Sequence, residues 1–185
     1  MFNSIFPQMF QKHVPIIMAI SSHSRPQESV HIQMVTKVHN NEAISSHKWF
    51  LFHAWQLCIS WLSKKQPIVA TSSCEAEYRT VFTATVECVW LRRLMVELGV
   101  GQDTPNTIYT DSQSALAVAR NPVFHARTKH IEVHYHYVRE RLSEGEISLA
   151  YVPTPDNLAG LFTKTLSREK LEAFRKALGL FPFVD

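Results

Sequence analysis

One long helix is written between Ser72 and Gly99, and it dictates much of what must surround it. Ser72 with Glu75 three residues later forms a capping box, which satisfies amide donors that the first helical turn leaves unbonded. Tyr78, Phe82, Thr85, Val89, Leu94 and Leu98 recur at helical spacing and predict the buried face. Gly99 stands where a left-handed cap closes such a helix. An apolar stripe of this length has to be buried against other elements, and the flanking signals supply strands. Residues 59–63 read as the end of a strand entering the basic turn Lys64-Lys65-Gln66-Pro67, and residues 107–110 form a short apolar strand.

The alternation continues. Asp111 and Ser112 open a small helix through Arg120, which Pro122 breaks. A second long helix is predicted over residues 128–143, with Ile131, Tyr135 and Val138 inward. Gly145 leads to a strand over 147–152, and Pro153 and Pro155 precede a helix over 156–166. Ser167 caps a final helix that ends at Gly179. Strands alternating with helices imply an α/β domain with some parallel pairing.

Before Ile59 the pattern changes. Residues 1–28 are rich in Ser, His and Pro and hold no persistent period. Residues 30–34 alternate apolar and polar as a short strand does, and residues 49–59 are an apolar aromatic run that reads as one buried strand. Charge follows the same divide. Residues 1–74 hold six Lys/Arg against two acids, and residues 75–185 hold thirteen against fourteen. The expected organisation is an atypical leader over 1–58, frameshifted or poorly ordered, and one folded domain over 59–185.

With 185 residues, 45% of them hydrophobic and 19% charged, the chain can bury a core as a single globular domain. Cys58, Cys74 and Cys88 form no close pair, which suits an intracellular reducing setting, cytoplasmic or nuclear, rather than secretion. The longest apolar stretch is too short to span a bilayer, so no membrane partner is expected. A net charge of +3 is compatible with nucleic-acid contact without identifying it.

The chemistry concentrates on Glu77 and Asp111. A residue at the start of a helix and one at a strand end can converge at the carboxyl edge of a parallel sheet. Each also has a plain structural role, Glu77 beside a helix dipole and Asp111 as an N-cap. Hydrolysis with two bound metals needs more anionic oxygen than two carboxylates supply. No aspartate precedes Asp103, and the only acids before Glu75 are Glu28 and Glu42. His125, His130, His134 and His136 cluster as well, with His130 and His134 one helical turn apart. They lack the glutamate and cysteine pairing of common zinc motifs and read as solvated or structurally bonded. Arg120, Arg127, Lys129, Arg139 and Arg141 make the stretch after Asp111 locally basic, diluted by Glu132, Glu140 and Glu144.

Several blocks in order resemble the ribonuclease H region of copia-type retrotransposon Pol polyproteins. They are Ile59-Ser-Trp, Ser63-Lys-Lys-Gln66, Thr71-Ser-Ser-Cys-Glu-Ala-Glu-Tyr78, Tyr109-Thr-Asp-Ser-Gln-Ser-Ala115 and Asn121-Pro-Val-Phe-His125. Arg127-Thr-Lys-His-Ile131, Tyr151-Val-Pro-Thr154 and Leu158-Ala-Gly-Leu-Phe-Thr-Lys164 continue the series. The resemblance implies a ribonuclease H-like mixed sheet flanked by helices, with the first strands altered or missing in this copy. It implies cleavage of the RNA strand of RNA–DNA hybrids by two magnesium ions held on four carboxylates, in a polyprotein that also carries a reverse transcriptase. It makes Glu77 the second carboxylate and Asp111 the third. The family's fourth, an aspartate after Ala159, is replaced by Gly160, with Asp156 a weak substitute one turn earlier. The first has no candidate in the leader. Lys64, Lys65, Arg127, Lys129, Arg139 and Lys164 are the expected nucleic-acid contacts.

Two of four carboxylates imply an impaired or inactive hydrolase, and the alternatives are a dead nucleic-acid-binding module or a functionless remnant. A reading-frame coincidence accounts for the leader. Codons compatible with residues 47–55, read one base later, permit Thr-Ser-Gly-Phe-Tyr-Phe-Met-Leu-Gly, which resembles the family just ahead of Ile-Ser-Trp.

Overall fold

The computed structural model describes residues 31–41, 43–54, 57–66, 69–99, 101, 103–121, 129–162 and 165–178. Five strands form one sheet: β1 (His31–Asn41), β2 (Ala43–Ala54), β3 (Leu57–Lys65), β4 (Asn106–Thr110) and β5 (Ile147–Tyr151). Their order is β3-β2-β1-β4-β5. β1, β2 and β3 pair antiparallel, whereas β4 lies parallel to both β1 and β5. The first strands are therefore present. The sheet crosses the change of composition at Ile59, because residues from the expected leader supply its central strand. Residues 1–30 lie outside the described residues.

The strand expected over 49–59 is instead divided between β2 and β3, which fold back on each other as a hairpin. The apolar run has no period of two because both faces of β2 are covered. Phe50 and Phe52 point to one face and meet edge-on with ring centroids 5.3 Å apart. Leu51, between them, points to the other face by alternation and is equally buried.

Helix α1 (Ser73–Glu97) covers the first of these faces. Ser72 caps it, its hydroxyl accepting from the Glu75 amide at 3.1 Å. The capping box is only half used, since the Glu75 carboxylate turns to Thr71 and Arg79 instead. Tyr78, Val81, Ala84, Cys88, Leu91 and Met95 enter the core with Phe50, Phe52 and Ile108. At the far end the buried positions are thus Leu91 and Met95, not Leu94 and Leu98, and Leu98 is exposed. Gly99 closes the helix at φ +74, a conformation other residues adopt only with strain. The link from β3 is fixed by Gln66, whose amide donates to the Ala76 carbonyl at 2.9 Å and to Thr80 at 3.1 Å.

Helix α2 (Gln113–Arg120) and helix α3 (Lys129–Ser143) complete the layer on α1, with Val138 fully buried and Tyr135 against Tyr78 at 4.2 Å between centroids. Arg141 gathers Glu140, Glu144 and Glu146 where α3 passes into β5.

The helix expected over 156–166 is a turn followed by a 3-10 segment, Leu158–Phe162, packed against β1 and β2. Asn157 causes the difference. Its side chain accepts from the Ala159 amide at 3.1 Å, and its carbonyl accepts from Gly160 at 2.9 Å in the tighter three-residue spacing. Helix α4 (Arg168–Ala177), capped by Ser167, packs on this segment. The expected end at Gly179 lies outside the described residues. Among the described residues no helix is long and apolar enough to cross a membrane.

Candidate metal and nucleic-acid site

β4 lies between two parallel neighbours, so its carboxyl end belongs to the edge of the sheet at which α/β proteins place ligands. Asn106, Ile108 and Thr110 are buried in alternation, and Asp111 is the first residue beyond the strand, half-buried. The Ser112 amide donates to the Thr110 hydroxyl at 3.2 Å, and the Ser112 hydroxyl caps α2 by accepting from the Ala115 amide at 3.1 Å.

Two residues apart on α1, Glu75 and Glu77 have different surroundings. Glu75 is buried, and its carboxylate accepts from the Thr71 amide at 2.8 Å, from the Thr71 hydroxyl, and from Arg79 at 2.9 and 2.7 Å. Burial pushes its pKa upward, but the Thr71 and Arg79 bonds outweigh this and hold it below the usual carboxylate range. Glu77 instead faces the start of α2. It accepts from the Ser112 hydroxyl and from the Ser114 hydroxyl at 3.2 Å, and those two hydroxyls are 3.0 Å apart. Through Ser112, the carboxylate of Glu77 is tied to the residue that follows Asp111. Cys74 borders the same group. Burial pushes its thiol up, a hydrogen bond with Ser114 opposes this, and the charge of Glu77 adds to it.

The structure thus bonds Glu77 to the start of α2, one residue after Asp111. Met34 of β1 pairs beside Thr110, and neither it nor its neighbours Gln33 and Val35 is acidic. Gly160 is buried in the 3-10 segment, and a Cβ built there would meet nothing within 4 Å. Asp156 shares no helix face with Gly160; it lies exposed in a turn closed by its amide on the Pro153 carbonyl at 2.9 Å. Among the described residues no group of three His, Cys, Asp or Glu could hold a metal. Two carboxylates, one already engaged by two serines, fit a single hard cation and do not fit a two-metal centre.

The basic candidates divide. Arg120 donates to the Leu149 carbonyl at 3.0 Å and Arg139 to the Asn121 carbonyl at 2.6 Å, so both fasten neighbouring elements. Lys64 and Lys65 are exposed on β3, which is an edge strand. Lys129 opens α3, whereas Arg127 and Lys164 lie outside the described residues, as does His125. His130 and His134 share α3, with the His134 ring stacked on Phe82 at 3.9 Å and His136 exposed. Sequence reasoning missed Ser112, Ser114, Arg79 and the half-buried Lys48. The serines adjoin Asp111 and could have been weighed with it, but nothing local marks Lys48.

No family model matches the chain. Over 122 residues, or 66% of its length, it is 43% identical to the retrovirus-related Pol polyprotein of transposon RE1 from Arabidopsis thaliana. It spans only 8% of that relative's length. Among solved structures it resembles the N-terminal RNase H domain of a Mycobacterium tuberculosis protein, fused to maltose-binding protein. That match has a TM-score of 0.52 and 16% identity, covering 82% of this chain and 99% of the other. LC11-RNase H1, solved in complex with an RNA/DNA hybrid, matches with a TM-score of 0.51 and 13% identity, over 70% of this chain and 88% of that one. The sheet order, the parallel β1–β4–β5 core and the sequence identity lead to one assignment: the chain is a ribonuclease H-like domain related to the Pol polyproteins of copia-type retrotransposons.

Proposed function

We propose that the domain binds nucleic acid, with an RNA–DNA hybrid as the natural ligand, and that its hydrolytic centre is impaired. The carrying observation is that the Glu77 carboxylate is bonded to Ser112, the residue after Asp111 at the end of β4, while Gly160 and the β1 residues beside Thr110 carry no carboxylate. Two carboxylates with phosphate oxygens suit one weakly held magnesium ion. A second ion would lack its anionic shell. Lys64, Lys65, Arg127, Lys129 and Lys164 supply backbone contacts in this reading, and the reverse transcriptase of a Pol polyprotein is the natural neighbour inside the cell, in cytoplasm or nucleus.

The test is an RNA–DNA hybrid assay with magnesium or manganese. The expected result is salt-dependent binding with cleavage at or near background. Robust cleavage abolished by Glu77→Ala or Asp111→Ala would refute the impaired centre, and absence of binding at low salt would refute the ligand. The leader belongs to the same reading as a frameshifted decoding ahead of Ile59, which is abandoned if the gene, read one base later, fails to spell the family segment.

A further inference from the structure

Lys48 and Lys64 are direct cross-strand partners on β2 and β3, which places their side chains on one face with Cβ atoms about 5 Å apart. That face is the one α1 covers, because the Lys48 ammonium donates to the Thr83 hydroxyl on α1 at 3.1 Å. Like charges placed opposite each other destabilise a sheet. Lys48 is half-buried besides, and burial together with the charge of Lys64 lowers its pKa. Among the described residues no carboxylate pairs with either lysine. Thr83 donates its own proton to the Arg79 carbonyl at 2.9 Å, so it can only accept from Lys48. An ammonium has three donors, which leaves Lys48 two. Two convergent cations with unused donors and no internal anion suit an external oxyanion.

Their location says which oxyanion. Met34 lies beside Thr110, and Thr36 lies beside Lys48, so the lysine pair stands level with the end of β4 where Asp111 sits. Across the sheet, Lys48 and Lys64 are two and three strands from β4, roughly 10 and 15 Å at ordinary strand spacing. A strand of nucleic acid bound at Asp111 can reach that far.

We propose that Lys48, Lys64 and Thr83 form a phosphate subsite, which holds a backbone phosphate of the strand crossing this end of the sheet. The assignment deepens the nucleic-acid reading and rests on it for its ligand, although the site can be probed without it. Hybrid binding is measured by fluorescence anisotropy across a salt series for the wild-type chain, Lys48→Gln, Lys64→Gln and, as a control of equal charge change on α4, Lys176→Gln. Each subsite variant should weaken binding about tenfold at low salt and flatten the log–log salt slope by about one unit. Lys176→Gln should change neither. Thermal midpoints of both subsite variants should match or exceed that of the wild type, because repulsion has been removed. Unchanged slopes in both overturn the subsite.

A second arm follows the lysine side-chain resonances while inorganic phosphate is added. Saturable shifts at Lys48 and Lys64 in a protein that binds no hybrid would keep the subsite and discard the nucleic-acid reading. No shifts and no hybrid binding would discard both.

Discussion

Replacing Arg79 by methionine should be the most damaging single change near the site. Arg79 meets Glu75 at 2.7 Å, with side chains 10% and 5% exposed, so the pair sits almost wholly out of water. Removing one member of a buried pair leaves the other charge uncompensated, at a cost of about 3–5 kcal/mol. Thr71 still gives Glu75 two hydrogen bonds, which places the expected loss near the lower limit, about 3 kcal/mol. For a chain of this size each kcal/mol moves the midpoint about 2–4 °C, so Tm should fall by roughly 6–12 °C. Urea unfolding at pH 7 measures the free energy directly. The pH dependence adds a second check. In the wild type the Glu75 pKa is held below its usual value, so its stabilisation is present above that value and lost as pH falls through the folded one. In Arg79→Met the lowering bonds from arginine are gone, so the carboxyl takes up its proton at a higher pH than in the wild type, which relieves the penalty as pH falls. The gap between the two proteins should therefore narrow as pH drops from 7 towards 4. Glu75→Gln with Arg79→Met should recover part of the loss. A deficit under about 1 kcal/mol at pH 7, or a gap that ignores pH, would refute the view of Glu75–Arg79 as a desolvated charged pair.

Tyr78→Phe removes the hydroxyl of a fully buried side chain, which has no hydrogen-bond partner among the described residues. It should raise stability by about 1 kcal/mol in thermal unfolding, and a loss of stability would contradict the absence of a partner. Gly99→Ala should cost about 1–2 kcal/mol by the same assay, since alanine is strained at φ +74. Gly160→Asp adds a third carboxylate where a Cβ has open space, so calorimetric titration should show at least tenfold tighter manganese binding with little change in Tm. Manganese affinity equal to that of the wild type would mean that Gly160 does not face Glu77 and Asp111.

How much of this could be read from residues alone depended on where the physics was local. The caps at Ser72 and Ser167 and the stop at Gly99 act within a few residues and lie where the sequence pattern predicts, whereas the cap of α2 is Ser112 and not Asp111. The β2–β3 hairpin was hidden because Phe50, Leu51 and Phe52 are buried on both faces, which erases the alternation that marks a strand. The two residues between the strands, Trp55 and Gln56, include no glycine or asparagine to betray the hairpin. Asn157 defeated the helix expectation by bonding to its own backbone neighbours, an outcome that propensity alone does not decide. At the site, the motif context singled out Glu77 and Asp111, and the structure bonds Glu77 to the residue after Asp111. The bonds from Ser112 to Glu77 and from Lys48 to Thr83 span 35 residues each, and such pairings exist only after the helix has docked.

The parallel pairing of β1 with β4 has a consequence for synthesis. His31 must find Thr107, with the β2–β3 hairpin and all of α1 translated in between. Until then a nascent chain can close only its local antiparallel meander, leaving one rim of β1 with unbonded amides and carbonyls. Such a rim templates association with other chains, and long-range strand pairing is slow to relieve it. Premature termination between residues 66 and 105 should therefore yield insoluble fragments, whereas chains extended past β5 should remain soluble in a cell-free translation assay.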